Sequence, residues 1–409
     1  MSPWQASYQG RHGGLQSGVA IPTLLTAGEA FEDLVFVGLE RLPSPGEEIK
    51  TDTFHATIGG GAVITAIGAA RLGVITAIAS ALSDAAVTRL RRERVRVHNL
   101  KLKSEPHAIS AALSTGADRS FVTFNGVNAV LEPRLMAAVA AAHARHVHLA
   151  LCPTDLAAWT SVIARLRRRG VTVSWDFGWS ETLAVRPELP ALMDALDFVF
   201  LNELEAPLYA GVSELDAAYP VLRSRAGGVV VKLGSLGSRW LRADGDVVMP
   251  APRVDAVDTT GAGDAFNAGF LAAWLRGGQP ALCLATGNAA GAASTRAAGG
   301  LDALPTASKL PALLRPSAHR PAPRTLPRAE VRASRGRTAR ARPGTASARG
   351  ASAQADPKPD TTTGRTPRAT SRPNARPGEH VPAKARVRPS PPASARAGAR
   401  RRRPSRRRP

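Results

Sequence analysis

The sequence predicts an α/β fold: a doubly wound, mostly parallel sheet with a small β-lid. Three observations predict it. Between Ile21 and about Pro311, short runs that are apolar on both faces recur along the chain. Ala/Leu-rich helical stretches separate them. Strands apolar on both faces belong to parallel sheets covered by helices, and strand–helix alternation builds such sheets. Third, Glu47–Ile58 and Ala108–Phe124 are rich in Thr, Ser, Ile, Val and Phe and alternate polar with apolar, as strands with one wet face do. They read as a small antiparallel sheet projecting from the body. It could cover a cleft or join two subunits.

Residues 1–20 are polar, Gly-rich and aperiodic and read as a disordered extension. The strands of the 21–311 domain are Leu24–Ala27, Val147–Leu151, Val171–Trp175, Phe198–Leu201 and Val229–Leu233. Helical patterns occupy 62–72, 134–145, 155–169, 204–210, 217–226, 264–276 and 280–296. The segment Ser80–Val97 is short, glycine-free and a candidate weak point. Arg165–Arg169 reads as the solvated end of a helix.

Charge is partitioned sharply. The chain of 409 residues has a formal charge of +22, and residues 312–409 alone hold 26 basic and 4 acidic side chains. The first 311 residues balance, with 28 of each, so their composition gives no reason to expect nucleic-acid binding. Residues 312–409 hold 16 of the 32 prolines and no Phe, Trp or Tyr. Such a segment cannot bury enough apolar surface to offset its ordering entropy and is expected to be disordered. It is either a solvated extension or a tail that contacts polyanions such as nucleic acid. Two cysteines, Cys152 and Cys283, imply no disulfide framework and suit a reducing, cytoplasmic setting. Neither a signal pattern nor an apolar run long enough to span a bilayer is expected.

The segment Val257–Phe270, VDTTGAGDAFNAGF, carries the most chemistry. A strand-like Ala-Val leads through small residues into an apolar helix. Small residues at a helix start leave convergent backbone N–H groups that, with the helix dipole, suit a phosphate. Asp264 beside such a site would repel the phosphate unless it takes a proton from whatever attacks it, which is the task of a general base. The bland alternative is an ordinary helix cap. Asp176 ends a strand at the carboxyl edge, where open α/β sheets bind ligands, and could also be a cap. The cluster His143, His146, His148 and Cys152 is a candidate metal site, but the first two read as a helix end and the last two as the following strand, so they do not converge.

The D-T-x-G-A-G-D core of this segment resembles the C-terminal signature of the PfkB (ribokinase-like) carbohydrate kinases. Other positions follow in that family's order. Gly28-Glu29 with Asp33, and Gly59-Gly60-Gly61 followed by AVITAIGAARLG, resemble its opening and its N-terminal signature. Asn202 and Glu205 resemble its N-x-x-E element and are expected on one helical face. Lys232, Gly234 and Gly237 resemble its nucleotide-binding turn, and Asn288 falls where it lines the adenine pocket.

The resemblance covers roughly residues 22–306. It implies an ATP-dependent carbohydrate kinase with a ribokinase-like fold. Asp264 would be general base, with the Gly261, Ala262 and Gly263 amides as anion hole. Asp33, Gly60 and Gly61 would bind the sugar. Asn202 and Glu205 would place Mg2+ through water, and Asp258 and Thr260 a monovalent cation such as K+. The lid would exclude water, and a homodimer through the lid is a further implication. Two departures stand out. Ile64 occupies the place of a sugar-binding Asn, and Leu151 that of a Glu found in ribokinase proper. They argue against ribose itself as substrate and leave open a catalytically silent member that binds or regulates.

Overall fold

The computed structural model describes residues 23–115, 119–225 and 227–314. The expected head at 1–20 and, from residue 315 on, the basic tail with its polyanion contact lie outside the described residues.

In chain order the strands are β1 (Leu24–Gly28), β2 (Phe31–Leu39), β3 (Thr53–Gly59), β4 (Thr76–Ser80), β5 (Arg96–Asn99), β6 (Ile109–Thr115), β7 (Arg119–Phe124), β8 (His146–Ala150), β9 (Thr172–Asp176), β10 (Phe198–Asn202), β11 (Val229–Lys232), β12 (Ser238–Leu241) and β13 (Val247–Met249). The helices are α1 (Gly61–Arg71), α2 (Asp84–Arg92), α3 (Glu132–Ala140), α4 (Leu156–Arg168), α5 (Glu181–Ala184), α6 (Leu189–Asp194), α7 (Glu205–Ala210), α8 (Leu215–Arg223), α9 (Ala262–Trp274), α10 (Pro280–Ser294) and α11 (Leu310–Leu313). The last of these runs past the expected domain end at residue 311.

Nine strands form the large sheet, in the order β13-β12-β11-β10-β9-β8-β1-β4-β5. All pairings from β11 to β5 are parallel; β12 and β13 add an antiparallel edge. Helices cover both faces. One core packs Leu135, Trp159, Ile163, Leu192, Tyr209 and Leu222 against the sheet. Opposite it, Phe266 and Phe270 of α9 pack with Leu72, just after α1, and Leu284 of α10 against Phe198 and Phe200. From β1 the order runs outward to β4 on one side and to β8 on the other, so β1 and β8 flank a topological switch point, where open α/β sheets hold their ligands.

A second sheet, ordered β3-β2-β6-β7, is the lid. Its composition differs from expectation. Residues 47–52 are not strand, and a nine-residue strand at 31–39 was missed. The 31–39 run was hidden because Glu32 and Asp33 interrupt its apolar pattern. Asp33 therefore lies on β2, inside the lid. It pairs with Thr57 on one side and Ser110 on the other. The lid touches the body where Thr57 Cγ2 comes within 3.1 Å of the place a Cβ on Gly299 would take.

Other expectations need correction. The Ala256-Val257 stretch before the glycine turn is not a strand; the last strand ends at Met249. His146 is not at a helix end. It lies on β8 beside His148, and both rings are fully buried and bonded to Ser174 Oγ, at 2.8 and 2.9 Å. His148 is thus more deeply buried than a half-wet strand residue. Ser80–Val97 is well built: Ser83 caps α2 and Arg71 clasps Glu93 at 2.7 Å. In the Arg-rich end of α4, Arg167 and Arg169 are not merely solvated, since they donate to the carbonyls of Ala195 and Ala140.

Candidate active site

The strand ends chosen from sequence meet at one edge. Gly28, Ala150, Asp176, Asn202 and Lys232 are the last residues of β1, β8, β9, β10 and β11. The amino end of α9 points at this row from above the switch point.

Gly261, with φ at 70°, precedes α9, and no side chain caps the helix. An L side chain is disfavoured at that φ, which makes glycine the natural residue there. Asp264 is the third residue of α9 and does not cap it, which removes the bland reading of this aspartate. Its backbone is pinned by Thr65 Oγ1, which donates to Asp264 O at 3.2 Å. Its carboxylate reaches back to α1: a Cβ on Gly61 would stand 2.9 Å from Asp264 Oδ1 and 3.0 Å from Ala150 Cβ. Of the three amides expected in the anion hole, that of Ala262 donates to Thr259 O at 3.2 Å. The Gly261 and Gly263 N–H groups are the freer pair at the helix start.

Burial pushes the Asp264 carboxyl up to about 7; Asp176, Glu205 and Asp33 add to the rise, and Lys232 opposes it. Asp33 is also raised to about 7, by burial first and by Asp258 second. The two acids bracket the Gly59–Gly61 turn. A Cβ on Gly59 would collide with Asp33 Oδ2, and Gly60 adopts φ 99° over the carbonyl of Glu29.

Asn202 and Glu205 do not share a helical face. Asn202 ends β10 and Glu205 opens α7. They bond reciprocally: Asn202 Oδ1 accepts from Glu205 N, and Glu205 Oε2 accepts from Asn202 N, both at 2.8 Å. Asn202 Oδ1 also accepts from Leu204 N. Its amide oxygen is thereby used, which leaves Nδ2 as its free end. Glu205 is buried beside Asp176, and burial raises its pKa.

Lys232 is paired within the protein. Its Nζ donates to Asp176 Oδ2 at 2.6 Å, the oxygen that also accepts from Asn267 Nδ2 at 2.7 Å. Asp176 is thus an ion-pair acceptor rather than a helix cap. Gly234 and Gly237 flank a short 3-10 turn after β11, and the Leu233 N–H closes it on Gly237 O at 2.8 Å. A Cβ on Gly237 would collide with Met249 O. Asn288 Nδ2 donates to Met249 O and Pro250 O, so both positions hold the 249–250 backbone. Asp258 spends Oδ1 on Thr260 N, at 2.6 Å, and Oδ2 on Gly299 N, at 2.8 Å, tying the loop before α9 to the end of the domain.

Both departure residues are buried. Ile64 is 3% exposed and packs beneath the glycine turn, its Cδ1 2.5 Å from where a Cβ on Gly261 would stand. Leu151 is buried in the core on the opposite face. Among the described residues, no group of three or more metal-ligating side chains is brought together, and the His/Cys cluster does not converge. No described helix is long and apolar enough to cross a membrane.

Sequence reasoning missed Asn267. Its three-residue spacing from Asp264 puts both on one face of α9 and was the available signal.

The fold is the ribokinase fold. It overlays Arabidopsis thaliana ribokinase, solved with ribose and ATP, with a TM-score of 0.59 and 25% identity over 73% of this chain and all of that one. Adenosine kinase from Sinorhizobium meliloti overlays with a TM-score of 0.62 at 23% identity, over 72% of this chain and 99% of that one. Residues 23–307 match the profile of the pfkB family carbohydrate kinases, and the chain belongs to that family. Among similar sequences, an ATP-dependent ribose-1-phosphate kinase from Halopiger xanaduensis is 31% identical over 71% of this chain and 97% of its own length. A nucleoside kinase from Methanothermobacter thermautotrophicus is 27% identical over 64% of this chain and 85% of its own. The chain is an ATP-using phosphotransferase with an alcohol group as acceptor.

Proposed function

We propose that the chain transfers the γ-phosphoryl group of ATP to a hydroxyl of an uncharged ribose-like sugar or nucleoside, with Asp264 as general base. The observation that carries this reading is the Asp264 carboxylate: it caps nothing, meets Gly61 and lies in the first turn of a helix whose start is lined by glycine. A base poised near neutral pH can accept the hydroxyl proton and still be ionised before the step.

The acceptor oxygen attacks the γ-phosphorus as its proton passes to Asp264. The Gly261 and Gly263 amides receive the charge on the phosphoryl oxygens, while the Ala262 amide holds the turn to Thr259 O. Asp33 on the lid accepts hydrogen bonds from acceptor hydroxyls, beside the Gly59–Gly61 turn. Among the described residues Asp33 has no cationic partner. A raised, unpaired carboxyl suits neutral hydroxyls and repels an acceptor phosphate, which favours an uncharged ribose-like sugar or a nucleoside over a phosphorylated sugar. Lid closure keeps water from the phosphoryl group.

Mg2+ fits the residues present. Glu205 retains Oε1, is buried and stands among acids, and Mg2+ needs few carboxylates because it keeps its waters. Glu205 would hold the hydrated ion, and Asn202 Nδ2 would steady its waters or a phosphate oxygen. The ion neutralises charge on the nucleotide. A monovalent cation fits less well, since backbone N–H groups engage both Asp258 oxygens; Asp258 and Thr260 hold the loop, and no step runs through K+. Gly237 and Asn288 shape the nucleotide side by fixing the 249–250 backbone, and Gly234 begins the turn after β11. A homodimer through the lid is supported by its apolar outer face, where Phe54, Val122 and Phe124 are exposed.

The catalytically silent alternative rests on Ile64, Leu151 and the 80–97 segment. The two side chains are buried and the segment is held by the Ser83 cap and the Arg71–Glu93 pair, so none of the three alters Asp264 or the glycine amides. The test is ADP release over a panel of sugars and nucleosides. Asp264→Asn is expected to lower kcat by at least ~100-fold with little change in KM. Turnover close to wild type in that variant removes the assigned role.

A further inference from the structure

Lys232 is held in an unusual place. It is the last residue of buried strand β11, and its side chain is 13% exposed. Its Nζ lies 3.1 Å from where a Cβ on Gly263 would stand, directly beneath the first turn of α9. The amino end of a helix carries partial positive charge, so an ammonium there has the wrong sign for the dipole. Burial also works against its charge, yet Asp176, Glu205 and Asp264 outweigh both and hold Lys232 above the ordinary lysine value. The arrangement keeps a fixed cation pressed against amides that themselves attract anions.

Two neighbours hold it there. Asp176 accepts from Nζ, and Asn267, one turn along α9 from Asp264, donates to the same Asp176 oxygen. An ammonium has three N–H donors, and Asp176 takes one. We propose that Lys232 is a further catalytic residue: its ammonium completes the anion hole beside Gly263 and donates to the transferring phosphoryl group, with Asp176 and Asn267 as its positioning residues. An anion lying between the Gly263 amide and Nζ satisfies both and resolves the mismatch with the dipole. Lys232 keeps its protons throughout. The acceptor proton goes to Asp264, the new O–P bond forms, and the bond from the γ-phosphorus to the bridging oxygen breaks, with its electron pair leaving on ADP.

This inference rests on the kinase reading, and the test separates the two. Steady-state ADP release is measured on the full chain for wild type, Asp264→Asn, Lys232→Met, Lys232→Arg and the double variant Asp176→Asn/Lys232→Met, each with a thermal melt. Lys232→Met is expected to lose about 10²–10³ in kcat, as for removal of one oxyanion donor. Its acceptor KM should change by less than about threefold, since the lost contact forms in the transition state. Lys232→Arg, which keeps charge and donors, is expected to recover part of the loss.

The double variant decides between catalysis and packing. A lone substitution leaves one buried charge unpaired, whereas the double removes both. If Lys232 were only a counter-ion for Asp176, the double variant would regain turnover along with its melting temperature. The anion-hole role requires it to melt normally and stay as slow as Lys232→Met. Recovered turnover in the double variant, or full turnover in Lys232→Met, overturns the inference while a slow Asp264→Asn leaves the kinase reading standing. Absence of ADP release from wild type with every acceptor removes both.

Discussion

The Asp264 carboxylate and the α-carbon of Gly61 are in such close approach that a single added methyl group would stand 2.9 Å from Oδ1. The same methyl would press on Ala150 at 3.0 Å, so it has no room to turn aside. Gly61→Ala should therefore displace the carboxylate rather than strain the backbone. Misplacement of about 1 Å can cost ~100-fold in rate. We expect kcat to fall at least tenfold with the melting temperature nearly unchanged; kinetics and calorimetry on the purified variant check this.

Asp264 must be ionised to accept a proton, and its pKa is raised to about 7. Activity should then rise with pH, up to tenfold per unit below about 7, and level off above it. Asp33 contributes to the rise as a like charge. Asp33→Asn should move the inflection of kcat toward lower pH. An unmoved inflection would mean that the titrating group is not Asp264.

The raised pKa has a cost in stability with a defined sign. Below about 4 the Asp264 carboxyl is protonated in both the folded and the unfolded chain. Between about 4 and 7 the folded state holds its proton more tightly, so stability falls as pH rises through that window. Asp264→Asn removes the dependence. It should stabilise the nucleotide-free protein by roughly 2 kcal/mol more at pH 8 than at pH 5. Urea titrations at the two values measure the difference.

Asp33 is expected to act on binding more than on chemistry. Asp33→Asn keeps the shape of the side chain but not its charge. The acceptor KM should rise about tenfold or more, as for loss of a hydrogen bond to a charged group, with the KM for ATP unchanged. An equal rise in both would mean that the substitution has disturbed the lid as a whole.

The parallel strands and their helices were legible because burial on both faces leaves an apolar run that little else explains. The glycine turn at 261–263 was legible for a similar reason: its residue types have few other uses. The lid was only half legible. Its strand at 31–39 carries Glu32 and Asp33, and those charges, which break the pattern, include a candidate ligand of the acceptor. Resemblance placed Lys232 in a nucleotide-binding turn, but its pairing with Asp176 and its place beside Gly263 were not legible. Nothing in a linear sequence says that the end of β11 lies beneath the start of α9, since the two are brought together by sheet order and by the packing of Phe266 and Phe270. That Ile64 packs beneath the turn, against Gly261, was not legible either.

Asp33 belongs to β2 in the small sheet and Asp264 to α9 against the large one, so the two carboxylates flanking the diglycine turn are carried by different layers. Chain links at 29–30, 60, 100–108 and 125 join the two sheets. Asp264 and the amides next to it share one helical turn, so their mutual distances are set by local helix geometry alone. The position of Asp33 relative to them depends instead on how the small sheet packs. On the reading proposed above, substitutions in the small sheet would alter which alcohol is accepted and leave the chemistry of the helix start unchanged.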